Sequence, residues 1–170
     1  MVSRVRVRPA VPGDADAVVT LARAVASEQE NWLLADSKWR SVGEERRYIR
    51  ALQRHPDGAL LVAELDGAIV GRLSVMRDPH PSSAHVADLG VMVAGDVRRR
   101  GVGTALMLGA ETWARGASVL KLELHVFPYN TAAIALYEKL GYEREGLRRS
   151  HYRRPDGSFV DAVLMARRLS

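Results

Sequence analysis

The chain has 170 residues, 47% hydrophobic and 26% charged, with a net charge of +5 and no cysteine. That length fits one domain that buries most of its apolar surface, and the composition excludes a disordered chain. Without cysteine there is no disulfide framework, thiolate metal site or cysteine nucleophile.

No apolar run is long enough to span a bilayer, and residues 1–8 lack the apolar core of a signal peptide, so the expected location is cytoplasmic. The positive charge makes nucleic acid the first partner to consider. However, the basic residues are scattered, and only Arg98-Arg99-Arg100 forms a tight cluster. A phosphate-bearing small molecule accounts for that cluster better than DNA does, and most other arginines read as solvated surface.

In chain order, Val5 and Val7 alternate with arginines as a half-exposed strand. Pro12-Gly13-Asp14 makes a turn, with Asp14 expected to cap a helix that carries Val18, Leu21, Ala22 and Val25 on one face. Residues 28–41 show no clear period and hold Trp32, Leu33, Leu34 and Trp39. A helix over 44–53 follows, with Glu45, Tyr48, Ile49 and Leu52 at helical spacing. Strands over 59–65 and 68–75 flank Asp66-Gly67, a hairpin signal.

Residues 86–93 read as a strand and 104–115 as a helix. Leu120, Leu122, Leu124 and Val126 alternate with polar residues as a further strand, which Pro128 stops. A helix over 131–140 closes at Gly141. Strands over 144–152 and 159–165 flank Pro155-Asp156-Gly157 as a second hairpin. This order predicts one α/β (α+β) domain over 3–169, with a mixed sheet of about seven strands and about four helices.

The chemically informative stretch runs Val91-Met92-Val93-Ala94-Gly95-Asp96-Val97-Arg98-Arg99-Arg100-Gly101-Val102-Gly103-Thr104. A strand enters a basic, glycine-bearing turn and a helix starts directly after it. The free N–H groups and positive dipole end of that helix suit an anion, and glycine lets the backbone approach a phosphate. A Rossmann site would need a third glycine near the first strand, and a Walker loop would need a lysine before the Ser or Thr. Neither is present.

Arg98-x-x-Gly101-x-Gly103 is similar to the Arg/Gln-x-x-Gly-x-Gly/Ala pattern of the GNAT superfamily of N-acetyltransferases. Downstream, Asn130 follows a strand and Leu136-Tyr137-Glu138-Lys139-Leu140-Gly141-Tyr142 closes the next helix, which resembles a second signature of that family. The element order agrees over nearly the whole chain. The stretch 152–162 resembles branches that acetylate amino acids or protein N-termini.

The resemblance implies acetyl-CoA as cosubstrate and a single domain of the same fold, and no metal is expected because the five histidines show no spacing that suggests a metal site. It implies that the backbone of Val91, Met92 and Val93 pairs with the pantetheine arm. The loop of Arg98, Arg99, Arg100, Gly101, Val102, Gly103 and Thr104 would hold the pyrophosphate. Asn130 would bond the arm, and Tyr137 would sit near the thioester sulfur as general acid. Its alternative role is a core aromatic.

Without cysteine, direct attack of a neutral amine on the thioester is the simplest route, with an amide near Val93 stabilising the oxyanion. By analogy with that family Asp88 is the expected base, and Glu123, His125 or a water chain are the alternatives. The acceptor is expected to be a small α-amine, with free amino acids preferred over protein N-termini or lysine; Trp32, Leu33 and Trp39 either close a small apolar pocket around it or belong to the core. A homodimer is an admissible assembly, and neither nucleic acid nor membrane is an expected partner. The rival classes are an acetyl-CoA sensor without chemistry and a basic nucleic-acid-binding protein.

Overall fold

The computed structural model describes residues 4–30, 32 and 39–170. The expected pocket residue Leu33 lies outside them, as does Leu34. The elements are β1 (Arg6–Pro9), α1 (Ala15–Ala26), α2 (Val42–Gln53), β2 (Gly58–Leu65), β3 (Ala68–Arg77), β4 (Val86–Val93), α3 (Val102–Gly116), β5 (Lys121–Val126), α4 (Thr131–Lys139), β6 (Glu143–Arg153) and β7 (Phe159–Arg168). Among the described residues, no helix is long and apolar enough to cross a membrane.

The seven strands form one sheet in the order β1-β2-β3-β4-β5-β7-β6. Every neighbouring pair is antiparallel except β4 and β5. α3 supplies the crossover between these parallel strands and packs on one face with α4, where Leu106, Met107 and Ile134 meet Leu73, Leu122 and Met165. α1 and α2 cover part of the other face, with Val18 and Ile49 over Leu60 and Val62, and Leu21 and Val25 over Met92.

Two local details differ from the sequence reading. Asp14 precedes α1 but makes no side-chain cap. Its carboxylate instead accepts from Arg8 at 2.7 and 2.9 Å and from the Val11 amide at 2.8 Å, tying the turn to the edge strand. α3 starts two residues before Thr104, at Val102, so Gly101 itself takes the N-cap position.

The feature that shapes the molecule is the short pairing of β4 with β5. Their ladder holds only Val86, Ala87 and Asp88 against Lys121, Leu122 and Glu123. Yet β4 runs on to Val93, still paired with β3, and β5 runs on to Val126, still paired with β7. Beyond Asp88 and Glu123 the facing edges separate and open a cleft in the middle of the sheet.

Under α2, Glu45 is wholly buried and faces Arg72 of β3, which is 5% exposed. A Glu45 oxygen lies 3.6 Å from the Arg72 guanidinium. The other accepts from Arg40 at 2.8 Å and from the Trp39 indole at 3.2 Å. Glu45 sits on the helix face that periodicity assigns to the core, so its charge must be matched from the sheet. Removing one member of a buried pair leaves the other uncompensated. Glu45→Ala should therefore destabilise the protein by about 3–5 kcal/mol in urea unfolding. A loss below about 1 kcal/mol would show that Arg72 is solvated by some other route.

Candidate active site

The cleft between β4 and β5 has a volume of about 200 Å³. Leu89, Gly90 and Val91 form one wall, and Leu124, His125, Val126 and Phe127 the other. Asn130 and Tyr137 reach it from α4, Tyr152 from β6, and Trp32 from the segment after α1. Strand alternation sends Leu89 and Leu124 into the core behind the cleft. Asp88, Glu123 and His125 then project to the opposite face, past the cover of α1.

At one end of the cleft, β4 leads into the basic loop. Arg99 has φ 65° and Gly101 φ 81°, so two left-handed residues turn the chain before α3 begins. The first amides of α3 lack intrahelical partners, as at any helix start. A Cβ on Gly101 would meet no atom within 4 Å, so space is open there and the backbone conformation alone favours glycine. Gly103 differs: its Cβ would stand 3.0 Å from Leu136, so this glycine also lets α3 approach α4.

Arg98 does not offer a free charge to this loop. Its guanidinium donates to both oxygens of Glu28 at 2.6 and 2.8 Å, and to the Val93 carbonyl at 3.1 Å. Arg99 and Arg100 are exposed. Asn130 caps α4, its Oδ1 accepting from the Ala133 amide at 3.2 Å, so its side-chain NH₂ is not used by the cap.

Tyr137 is 7% exposed and packs with Tyr142 at a ring separation of 6.1 Å. It is both a core aromatic and a cleft residue. Burial pushes its phenol up to about 12, so it stays protonated at physiological pH.

The other end of the cleft holds a cluster of titratable groups. Burial in the groove and the neighbouring Glu123 push the Asp88 carboxyl up to about 6, with Arg148 opposing. Water still reaches Asp88. Burial, Arg148 and His151 together pull His125 below its ordinary value. His125 Nδ1 and the Tyr152 hydroxyl lie 2.8 Å apart in a hydrogen bond. The Tyr152 phenol is raised by burial and by the charge of Asp88, with Arg148 opposing.

Sequence reading did not single out Tyr152, Phe127, Tyr129 or Arg148. Tyr129 stacks on Phe127 at 5.3 Å and on Trp32 at 5.9 Å, forming an aromatic wall. The run Phe127-Pro128-Tyr129 at the end of a strand was the available signal. Trp39, in contrast, lies with Glu45 and Arg72 under α2 and is absent from the cleft lining. It is therefore a packing residue of α2.

The Asp88 shift has a definite sign for stability. Its folded pKa lies above the ordinary 3.8, so the folded state binds the proton more tightly. The associated stabilisation is complete below about pH 4 and is lost as pH rises through about 6. Asp88→Asn removes this loss. Its melting temperature relative to wild type should rise between pH 4 and pH 7 and then level off. A difference that is constant across that range would refute the shift.

A sequence profile of the Acetyltransferase (GNAT) family matches residues 26–142. The L-amino acid N-acetyltransferase AaaT of Escherichia coli (strain K12) is 40% identical over 111 residues, 63% of this chain and 66% of that protein. The [Ribosomal protein bS18]-alanine N-acetyltransferase of the same strain is 42% identical over 78 residues, 45% of this chain and 51% of that protein. The matched segments thus span a little under two thirds and about half of these relatives.

Among solved structures, an acetyltransferase of the GNAT family from Streptococcus pneumoniae superposes with a TM-score of 0.87 at 25% identity, covering 98% of this chain and 100% of the other. The putative acetyltransferase yncA from Salmonella typhimurium, solved with acetyl-CoA, gives a TM-score of 0.86 at 18% identity, covering 99% and 95%, a likeness of fold. With Tyr137 in the cleft between the parted strands and β4 leading on into the loop before α3, these matches establish that the chain belongs to the GNAT acetyltransferase family.

Proposed function

We propose that this protein transfers an acetyl group from acetyl-CoA directly to the α-amine of a small molecule, preferentially a free amino acid. The observation that carries the reading is the cleft between β4 and β5, lined by His125, Tyr137 and Tyr152, with Asp88 at the point where the strands part and β4 leading on into the loop before α3. In this reading the pantetheine arm pairs along Val91, Met92 and Val93, which have no strand neighbour on the cleft side. The amides from Arg98 to Thr104 receive the pyrophosphate, with Arg99, Arg100, Gly101, Val102 and Gly103 between them. The Asn130 side-chain NH₂ bonds the arm.

Asp88 removes a proton from the bound ammonium, directly or through Tyr152 and water. The amine nitrogen attacks the thioester carbon, a β4 amide near Val93 receives the oxyanion, and the C–S bond breaks as the second proton of the nitrogen passes to the departing sulfur. Tyr137 donates to the departing sulfur. A phenol near 12 is a much weaker acid than an ordinary thiol, near ~8.5, so hydrogen bonding to the developing thiolate is its main contribution.

Two features support the acceptor. Asp88, near 6, lies closer to a peptide α-ammonium at ~7.7–8.0 than to a lysine ammonium at ~10.4, with free amino acids between, so deprotonation is less uphill for an α-amine than for lysine. Arg148 acts on Asp88, His125 and Tyr152 alike. It can face a carboxylate, which a free amino acid carries beside its amine and a peptide N-terminus does not. The amino-acid relative agrees with a small acceptor. The ribosomal-protein relative favours a second reading, a protein N-terminus, which is also an α-amine. We further read the enzyme as cytoplasmic, with the exposed outer strand β6 available for a homodimer contact.

Acetylation measured across free amino acids, their amides, short peptides with free N-termini and Nα-blocked lysine peptides should give the highest kcat/KM for free amino acids. Superior activity on blocked lysine peptides would overturn the assignment. In the same assay Tyr137→Phe should lower kcat by roughly 10²–10³-fold, the range for removing a donor to a developing anion, while calorimetry finds acetyl-CoA affinity nearly unchanged. Wild-type turnover in that variant would return Tyr137 to a packing role alone.

A further inference from the structure

Glu28 follows the end of α1 and contacts both ends of the proposed machinery. One carboxylate oxygen accepts from Arg98 at 2.6 Å and from the Trp32 indole at 2.8 Å, and the other accepts from Arg98 at 2.8 Å. Arg98 belongs to the loop before α3, and Trp32 lines the cleft. The same guanidinium holds the Val93 carbonyl at 3.1 Å and lies 5.8 Å from the Trp32 ring. Trp32 in turn stacks on Tyr129. One carboxylate thus joins the loop, the end of β4 and the aromatic wall.

An isolated ion pair at a half-exposed site would contribute little. Here the pair is two-pronged, which fixes the orientation of both groups, and the indole N–H sets a third direction. The seat is also close: a Cβ on Gly95 would stand 3.2 Å from Glu28 Oε1. Glu28 is therefore held by the loop as firmly as it holds Trp32.

We infer that Glu28 is a positioning residue that couples occupancy of the phosphate loop to the placement of Trp32 in the acceptor wall. The inference rests on the acetyl-CoA reading above and adds a link between its two sites. Anion binding at the amides from Arg98 to Thr104 fixes Arg98, Arg98 fixes Glu28, and Glu28 fixes the indole. Arg98 accordingly acts through its ion pair, and the phosphate is left to the backbone amides and the neighbouring arginines. Coupling of this kind is reciprocal, so an acceptor seated against Trp32 also favours an ordered loop.

Glu28→Gln tests the link, since it keeps the side-chain volume and an oxygen for the indole while removing the charge that pairs with Arg98. The protein is labelled with 5-fluorotryptophan. It has three tryptophans, and the Trp32 resonance is assigned by substitution to Phe. The probe is adenosine 3′-phosphate 5′-diphosphate, the half of CoA that bears the pyrophosphate and lacks the arm that enters the cleft. In wild type the Trp32 fluorine signal should shift on saturation with this probe. In Glu28→Gln it should stay within a tenth of that shift, although calorimetry finds CoA binding as tight as wild type or tighter.

With CoA saturating, the variant should raise the Kd of the best amino-acid acceptor about 10-fold, within the usual range of such couplings, while the Kd of CoA measured without acceptor stays within about twofold. A purely structural role would lower thermal stability and disturb both constants together. An equal Trp32 shift in the variant, or none in a wild type that binds CoA, would overturn the coupling and leave the acetyltransferase reading standing. Failure of the wild type to bind CoA would overturn that reading, and this inference with it.

Discussion

Beyond Asp88 and Glu123, β4 and β5 stop sharing hydrogen bonds, and most of the molecule's character follows from that separation. Parallel strands in the middle of a sheet normally satisfy each other along their length. Here each is held by its outer neighbour, β4 by β3 and β5 by β7, so the parting does not unravel the sheet. α3 and α4 close the back of the opening with packed side chains, while the front stays accessible. The result is backbone polar groups facing a partly apolar cleft, which suits a ligand with amide groups of its own.

Strand alternation then sorts the chemistry. On β4 and β5 the odd-numbered Leu89 and the even-numbered Leu122 and Leu124 turn toward α3 and α4. Asp88, Glu123 and His125 turn toward the open face. Because Asp88 and Glu123 are register partners, two carboxylates stand side by side, and burial together with the Glu123 charge raises the Asp88 carboxyl. Arg148 and Tyr152 come from the far side, on β6. A raised carboxyl, a neutral-leaning imidazole and a cation thus share one face.

The loop before α3 shows how a motif can be right in place and different in detail. Its glycines and its position at a helix start suit an anion, and Gly101 takes the left-handed conformation that the turn requires. Arg98, the residue most suggestive of phosphate contact, instead spans 70 residues of sequence to Glu28. Gly103 is constrained by Leu136 as well as by ligand space. Neither contact leaves a local trace in the sequence, because each partner lies in a different element.

What the sequence by itself determined were the features with local causes. Alternation and helical periodicity defined the strands and helices, turn residues defined the two hairpins, and the pair of motifs around Gly101 and Tyr137 pointed to the family. The start of α3 was misplaced by two residues because Gly101 caps it through backbone conformation rather than through a capping side chain. Only the tertiary structure decided where β4 leaves β5, that Glu45 buries its charge against Arg72, and that Trp39 joins that pair while Trp32 joins the cleft. It also decided that His125 meets Tyr152 and that Glu28 meets Arg98. These depend on contacts between residues far apart in the chain, and burial and pairing energies of that kind are set by the assembled sheet rather than by any local pattern of residues.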